Sequence, residues 1–388
     1  MKKIYLDYAA ATPVDPRVLK AMLPYFSKNF ANTMSVYFQG QKSSQAVEKA
    51  RKIVAGFINA DAKEIVFTSS ATESNNLALK GVVFANRKKG KNHIIISDIE
   101  HDCILESSRW LEKQGFKITR LPVDKYGFIN LNDLKRSITK ETILVSIIHA
   151  NNEIGTVQDI EAIGKICHDK GVYFHTDASQ SLGKVLIDVI KMNIDLLTAS
   201  SHKIYGPKGA ACLYIGQKVT IEPIIHGGGH ENGLRSSTVN VPAIVGFGKA
   251  VEILSKEGRE ENKRLTKLRD LFINKILKSI KGSKLNGHPT KRLCNNINIS
   301  IPGAEGEALT MELDFEGVNV STGSACSSKT LLPSHVLTAI GLPPEKAHGS
   351  LRISLGRFTK KEDIIYTVKT LIKVVNKLRR ISPFGYGR

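Results

Sequence analysis

The chain has 388 residues, 41% of them apolar and 24% charged, which makes it globular, excludes a disordered or fibrous protein and leaves room for two domains. A balance of 56 Lys and Arg against 36 Asp and Glu gives a formal charge of +20; such a field draws in anionic partners or a phosphorylated ligand without choosing between them. Five cysteines, Cys103, Cys167, Cys212, Cys294 and Cys326, without C-x-x-C spacing, argue against a disulfide framework or a thiolate zinc site and read as reduced thiols.

Residues 1–6 run into Asp7 with no charged-then-apolar leader, and no apolar run approaches a bilayer span. The expectation is a cytoplasmic protein without membrane contact. Short apolar runs then alternate with amphipathic helical patterns. Residues 64–68 predict a strand with a helix from Thr72; 93–97 a strand with a helix from about Cys103; 142–149 a strand with a helix from about Asp159. Residues 172–176 and the run Ile194, Leu196, Leu197 predict two more strands. This rhythm predicts a mostly parallel sheet covered by helices, with ligands at the carboxyl ends of its strands. A long basic helical region over 241–281 leads to a different composition. After "GSKLNGHP" come a strand at 296–300, a helix from Glu305, a Ser/Gly-rich loop around Cys326, a strand at 351–355 and a last helix. The division is a large domain over 1–259, whose N-terminal arm reaches the small domain and the site, and a smaller α+β domain over 260–388. In the last helix Ile364, Val368, Leu371, Val375 and Leu378 form an apolar stripe. Lys369, Lys373 and Lys377 form a second stripe, read as a solvated face, so no direct nucleic-acid binding is expected.

Chemistry collects at the strand ends. In "FTSSATESNN" (67–76) the pattern Ser70-x-x-Glu73 fits a capping box, so Ser70 would start a helix whose free N–H groups suit a phosphate. "IEHD" (99–102) ends a strand in His101, "HANNEIGT" (149–156) ends one in two amides and a carboxylate, and "FHTDASQSLGK" (174–184) ends one in Asp177 with Gln180 three residues on. "ASSHKIYGPKG" (199–209) leaves Lys203 on a turn. Taken singly, each has an ordinary structural reading as a cap, a core histidine or a turn residue. Taken together, a nucleophilic amine, a carboxylate, a phosphate-ready helix start and a histidine are the parts that hold pyridoxal phosphate. The amine condenses with its aldehyde, and the carboxylate keeps the pyridine nitrogen protonated. A nucleotide site is the rival for Lys203, but the chain has no G-x-x-x-x-G-K-[ST] and no G-x-G-x-x-G after a strand. His226 and His230, four apart in the glycine-rich "HGGGHENGLRSSTVN", lack the helix that a zinc pair needs, and no intrinsic metal site is expected.

Ten ordered segments, "YLDYAAATPVDP", "ATESNNLALKG", "IEH", "NNEIGTVQ", "HTDASQSLGK", "SHKIYGPKG", "HGGGHENGLRSSTVN", "NNINIS", "STGSACSS" and "SLRISLGRFT", carry a resemblance over nearly the whole chain. It resembles the cysteine desulfurases of the NifS and IscS class, which have the pyridoxal-phosphate aminotransferase fold of type I. The resemblance implies a large, mostly parallel sheet domain with a smaller α+β C-terminal domain. Lys203 would carry the cofactor, Asp177 face its ring nitrogen, Gln180 bond its ring oxygen, and His101 stack on the ring and assist proton transfer. The backbone of Ala71 with Thr72, Ser200 and His202 would hold the phosphate. Thr238 would reach the phosphate of a partner subunit, which implies a homodimer. Asn152 would touch both cofactor and substrate, and Arg352 would clamp the substrate carboxylate by a bidentate pair.

The same resemblance implies that L-cysteine becomes alanine and that its sulfur is taken as a persulfide on Cys326, for iron–sulfur cluster assembly or tRNA thiolation. Small polar neighbours in "TGSACSSKT" and the hinge Gly323 make that thiol mobile by sequence. Cys212 reads as an inert core thiol, Cys167 as helical, Cys294 as preceding a strand, and Cys103 as a competitor held too rigidly to leave the site. Cys326 is also a candidate shared ligand of an iron–sulfur cluster with a scaffold protein. "ANTMSVY" (31–37) departs from the pattern of the class, with Thr33 in place of a proline and Tyr37 in place of a histidine. Ser70 and Ser237 replace glycines, and Cys294 stands where proline is common. The sequence also stops at "SPFGYGR", which makes scaffold docking a weaker expectation than sulfur abstraction. The rivals are a selenocysteine lyase or another β-eliminating enzyme on the same scaffold, and a catalytically silent basic platform.

Overall fold

The computed structural model describes residues 3–87, 90–322 and 333–381. In chain order its strands are β1 (Ile4–Tyr5), β2 (Ile65–Thr68), β3 (His93–Ser97), β4 (Lys117–Leu121), β5 (Thr142–Ser146), β6 (Tyr173–Asp177), β7 (Leu196–Ser200) and β8 (Ala211–Ile215), followed by β9 (Lys284–Leu285), β10 (Asn296–Ser300), β11 (Val318–Asn319), β12 (Ser321–Thr322) and β13 (Ser350–Ser354). Seven of them form one sheet in the order β2-β8-β7-β6-β5-β3-β4. Its strands β3 to β7 pair in parallel, and β8 alone runs antiparallel to both neighbours. The mostly parallel α/β expectation is met. Every residue of β2, β3, β5, β7 and β8 is buried, as expected of strands covered on both faces, and so they read as continuous apolar runs. At the edge, β4 exposes Lys117 and Arg120. Those charges guard an unpaired edge and hide the strand from a search for apolar runs.

Several boundaries shift for local reasons. The strand expected over 142–149 ends at Ser146, although Ile147 and His149 still donate to the carbonyls of His175 and Asp177 beside them. The helix expected from Thr72 starts at Ala71, where the Ser70 side chain accepts from Glu73 N. Asp159 and Glu305 likewise cap the helices Ile160–Asp169 and Gly306–Phe315, each satisfying orphan N–H groups of the first turn. The last helix, Lys361–Ile381, buries its apolar stripe and exposes its lysines. Lys373 and Lys377 pair with Glu316 and Glu312 at 2.8 and 2.7 Å.

The 39-residue helix Val241–Ser279 runs uninterrupted through residues 259 and 260 and joins two cores. Its first half packs Ile244, Phe247 and Val251 with Val47, Val54 and Phe67 under the large sheet. Its second half packs Leu265, Phe272 and Ile276 with Leu6, Ile297, Ile299 and Leu351, on the second sheet of order β12-β13-β10-β9. The helix Phe38–Phe57 lies against the first half. A Cβ on Gly248 would come within 2.7 Å of Ala50 Cβ, so glycine lets the two backbones approach. The strand β1 pairs with β11, which anchors the N-terminal arm on the second core. Among the described residues no helix is long and apolar enough to cross a membrane.

Candidate active site

The strand β7 ends at Ser200 and a single turn, Ser201–Lys203, follows. This turn delivers the half-buried Lys203 amine to the N-terminal arm, where Nζ donates to the carbonyls of Ala9 and Ala10 at 2.6 and 2.7 Å. Gln180 Nε2 donates to the same Ala9 carbonyl at 2.9 Å. The arm is held from below as well, since Thr12 Oγ1 donates to His202 O at 3.0 Å and accepts from Tyr205 N at 2.8 Å. Tyr205 sits at φ +66°, a left-handed conformation that a bulky residue adopts only when its surroundings enforce it. Here its buried ring lies under the Arg357 guanidinium, 4.3 Å from the ring centroid, and its hydroxyl accepts from Arg357 N at 2.6 Å.

Asp177 ends β6 and is 5% exposed. Its carboxylate accepts from Ser179 N at 2.8 Å and from Asn75 Nδ2 at 2.7 Å, so its charge is hydrogen-bonded and not merely buried. His101 caps the helix Asp102–Lys113, its Nδ1 accepting from Cys103 N at 3.2 Å. Cys103 Sγ lies 3.1 Å from both His101 Nδ1 and Asn75 Nδ2. Residues 71–86 form one helical run, and its first segment, Ala71–Asn76, packs beside β7. Ser200 Oγ and His202 Nδ1 are 2.7 Å apart. Burial, helped by the ammonium groups of Lys203 and Lys208, pushes the His202 imidazole down to about 4, so it is neutral at pH 7.

Arg352 on β13 is 3% exposed and donates through Nη2 to Asp7 Oδ1 at 3.0 Å. The carbonyl of Asn152 accepts from Asn296 Nδ2 at 3.3 Å, and that of Glu153 from Asn296 and Asn298 Nδ2 at 3.2 Å. The loop after β5 is thereby stitched to β10, which pairs with β13 and sets Asn298 opposite Arg352. Thr238 stands apart from these contacts. It is exposed and lines a cavity of about 240 Å³ with Ser69, Arg235, Ser237 and Asn240. Arg235 Nε donates to Glu73 Oε1 at 2.7 Å, tying this loop to the helix start at Ala71. Cys326 lies outside the described residues.

The donors present fit pyridoxal phosphate. An amine is available for the aldehyde, a buried carboxylate for the ring nitrogen, and Thr72, Ser200 and His202 with the N–H groups of a helix start for the phosphate. Ser179 Oγ, Ser201 Oγ and Arg352 Nε are buried and have no hydrogen-bond partner among the described residues, which leaves polar capacity for a ligand. The described residues contain no cluster of three metal-ligating side chains, and 226–230 form a loop. Burial raises the thiols of Cys167, Cys212 and Cys294, the last two to about 12 and about 11. All three are poor nucleophiles. Of the departures, Ser70 is extended at φ −162° and still caps its helix, and Ser237 is not among the residues at positive φ, so neither position demands glycine's freedom. Sequence reasoning missed Asp7, Asn75 and the Ala9 and Ala10 carbonyls. The quoted "YLDYAAATPVDP" was the available signal for Asp7.

Comparison with known proteins agrees with this geometry. The profile of the family described as aminotransferase class-V matches residues 4–366. A cysteine desulfurase IscS of Dictyoglomus turgidum (strain DSM 6724 / Z-1310) is 50% identical over 383 residues, 99% of this chain and 97% of that protein. Another of the same name from Methanosarcina thermophila is 51% identical over 382 residues, 98% of this chain and 94% of that one. Among solved structures, a NifS-like protein superposes with TM-score 0.91 at 37% identity, covering 96% of this chain and 99% of its own. One titled "SspA in complex with cysteine" superposes with TM-score 0.82 at 39% identity, covering 92% and 100%. With the family profile spanning both cores and the Lys203 turn, the chain belongs to the class-V aminotransferase family.

Proposed function

We propose that the protein is a pyridoxal 5′-phosphate-dependent cysteine desulfurase, which converts L-cysteine to L-alanine and keeps the sulfur as a persulfide on Cys326. The observation that carries the reading is the Lys203 amine, presented at a strand end within reach of the N-terminal arm and next to the strand that ends in Asp177. Relatives named cysteine desulfurase at about half identity over the whole chain, and a cysteine complex among the structural neighbours, support the substrate.

When bound, the cofactor links to amines through its aldehyde and draws electrons from the substrate's α-carbon through its protonated ring. Asp177 holds the proton on the ring nitrogen, and Gln180 and His101 orient the ring. Ala71, Thr72, Ser200 and His202 would hold the phosphate, Thr238 would reach that of the neighbouring subunit, and Asn152 would contact both cofactor and substrate. Arg352 binds the substrate carboxylate, for which its fork geometry and its Nε, without a hydrogen-bond partner among the described residues, are suited. A base removes the α-proton, and His101 assists its transfer. The Cys326 thiolate attacks the substrate sulfur, so that an S–S bond forms as the C–S bond breaks; the electron pair stays on carbon, which takes a proton to give alanine. The persulfide then serves an iron–sulfur scaffold protein or another sulfur acceptor.

Two wider readings accompany this one. A homodimer is supported by an exposed apolar stretch including Leu23, Phe26, Phe30, Met34, Val36 and Phe38, the least exposed of which, Leu23, is 55% accessible; a lone chain rarely leaves such a patch in water. A division into domains 1–259 and 260–388 is supported by the two separate cores on the helix Val241–Ser279.

Incubation of the holoenzyme with L-cysteine, followed by mass spectrometry, tests the function. One added sulfur on Cys326 and an equivalent of alanine are expected. Cys326→Ser keeps its cofactor colour and forms almost no alanine from L-cysteine. Full activity of that variant would overturn the persulfide reading and favour a lyase.

A further inference from the structure

The mechanism above gives Cys103 nothing to do, yet its thiol is placed between two groups of the site. It occupies the second position of the helix Asp102–Lys113. Its Sγ lies 3.1 Å from Asn75 Nδ2, which also donates to Asp177 Oδ2 at 2.7 Å. Asn75 is completely buried and its Oδ1 has no hydrogen-bond partner among the described residues. The orientation of that amide is therefore set by the two acceptors that its nitrogen serves, the carboxylate and the sulfur.

With the sulfur accepting from Asn75, the S–H is left to donate to His101 Nδ1 at 3.1 Å. The same nitrogen accepts the backbone N–H of Cys103 at 3.2 Å. A ring nitrogen that receives two donors carries no proton of its own, so the neutral imidazole holds its proton on Nε2. The chain Asp177, Asn75, Cys103, His101 is thus continuous.

We propose that Cys103 is a positioning residue, whose thiol fixes the His101 ring in the Nε2-protonated tautomer and couples its orientation to the Asp177 carboxylate. The proposal rests on the reading of His101 and Asp177 as cofactor contacts. Removal of the thiol takes one donor from His101 Nδ1 and one acceptor from Asn75, so the ring loses a restraint on its rotation and on its tautomer. A hydroxyl can restore both bonds at a shorter reach.

The test compares native holoenzyme with Cys103→Ala, Cys103→Ser and His101→Gln, reading kcat and KM for L-cysteine and the absorption band of the bound cofactor. Cys103→Ala is expected to lower kcat roughly tenfold with KM changed by less than about twofold, the size of effect that loss of one orienting hydrogen bond has on a rate. Its cofactor band shifts, and Cys103→Ser recovers most of both. A Cys103→Ala enzyme with native kcat and band, while His101→Gln is impaired, would overturn the proposal alone. Equal losses in Cys103→Ala and Cys103→Ser would also overturn it, because packing and not hydrogen bonding would then be at fault. If His101→Gln itself keeps the native band and kcat, the underlying reading of His101 fails and takes the proposal with it.

Discussion

Glu100 and Glu153 bury carboxyls beside the strand ends, and burial pushes them up to about 8 and about 7 from 4.5. Neither is fully compensated. Glu100 takes Ser97 Oγ and Ile148 N on Oε1 and leaves Oε2 with no hydrogen-bond partner among the described residues, while Glu153 accepts from Ser334 Oγ at 2.5 Å. His149 and His175 shift the other way, each to about 4 from 6.5, by the same desolvation. A carboxyl with a raised folded value contributes stability that is complete below 4.5 and lost as pH rises to that value. A histidine with a depressed value contributes stability that is complete above 6.5 and lost as pH falls toward 4. The two sets oppose each other between 4.5 and 6.5, and above 6.5 only the glutamates still titrate. Unfolding free energy should therefore fall between pH 6.5 and about 8, by about 2–3 kcal/mol from the remaining span of the two shifts. Glu100 carries most of that loss. Glu100→Gln, whose amide oxygen can still accept from Ser97 and Ile148, should level off near pH 7. Urea titrations of the holoenzyme across this interval check it, and a native profile that is flat above 6.5 would count against both carboxyls being protonated in the fold.

At the scale of elements, a buried ion pair holds the loop that carries Thr238. Arg51, from the helix Phe38–Phe57, gives Nη1 and Nη2 to the two oxygens of Glu231 at 2.7 and 2.8 Å, and Glu231 also accepts from Phe67 N on β2 at 2.8 Å. Glu231 and Asn232 sit at φ 50° and 56°, an outlying backbone that such contacts sustain. Arg51→Ala strands the Glu231 charge and should cost about 3–5 kcal/mol. Lys377→Ala, which breaks the exposed pair with Glu312, should cost about 1 kcal/mol or less. Chemical denaturation separates the two, and equal costs would sink the distinction. Element ends were legible where side chains mark them, as at the caps Asp159 and Glu305 and in the β10 run Asn296–Ser300. The helix Phe38–Phe57 went unassigned, its apolar positions spaced among lysines and glutamines. In the candidate site, Lys203, Asp177 and His101 were legible as polar residues at the ends of apolar runs, and Gln180 only through the family resemblance. The carbonyls of Ala9 and Ala10 were not, because a main-chain acceptor has no side chain to announce it. Nor was the pairing of Arg352 with Asp7, which the topology alone makes across 345 positions.

For the whole molecule, the exposed Thr238 loop and the exposed apolar stretch at 23–38 place one question on the assembly: whose phosphate does Thr238 hold? If it serves the neighbouring subunit, Thr238→Ala should weaken cofactor binding about tenfold, the worth of one hydrogen bond to a charged group. Lys203→Ala should abolish covalent trapping of the cofactor by borohydride while leaving noncovalent binding through the phosphate contacts and Asp177. Hybrid dimers of the two variants then decide the matter. With Thr238 acting across the interface, the site on the Thr238→Ala protomer has its own Lys203 and the partner's intact threonine, so the hybrid contains one fully native site and one doubly defective site. With Thr238 acting within its own protomer, no native site exists, since one lacks the lysine and the other the threonine. Borohydride trapping across a titration of cofactor reads the difference directly. The label should appear on the Thr238→Ala protomer at native affinity in the hybrid and at the weakened affinity in the Thr238→Ala homodimer. The same weakened affinity in both would confine Thr238 to its own subunit, and a protein that stays monomeric at assay concentration would remove the interface altogether.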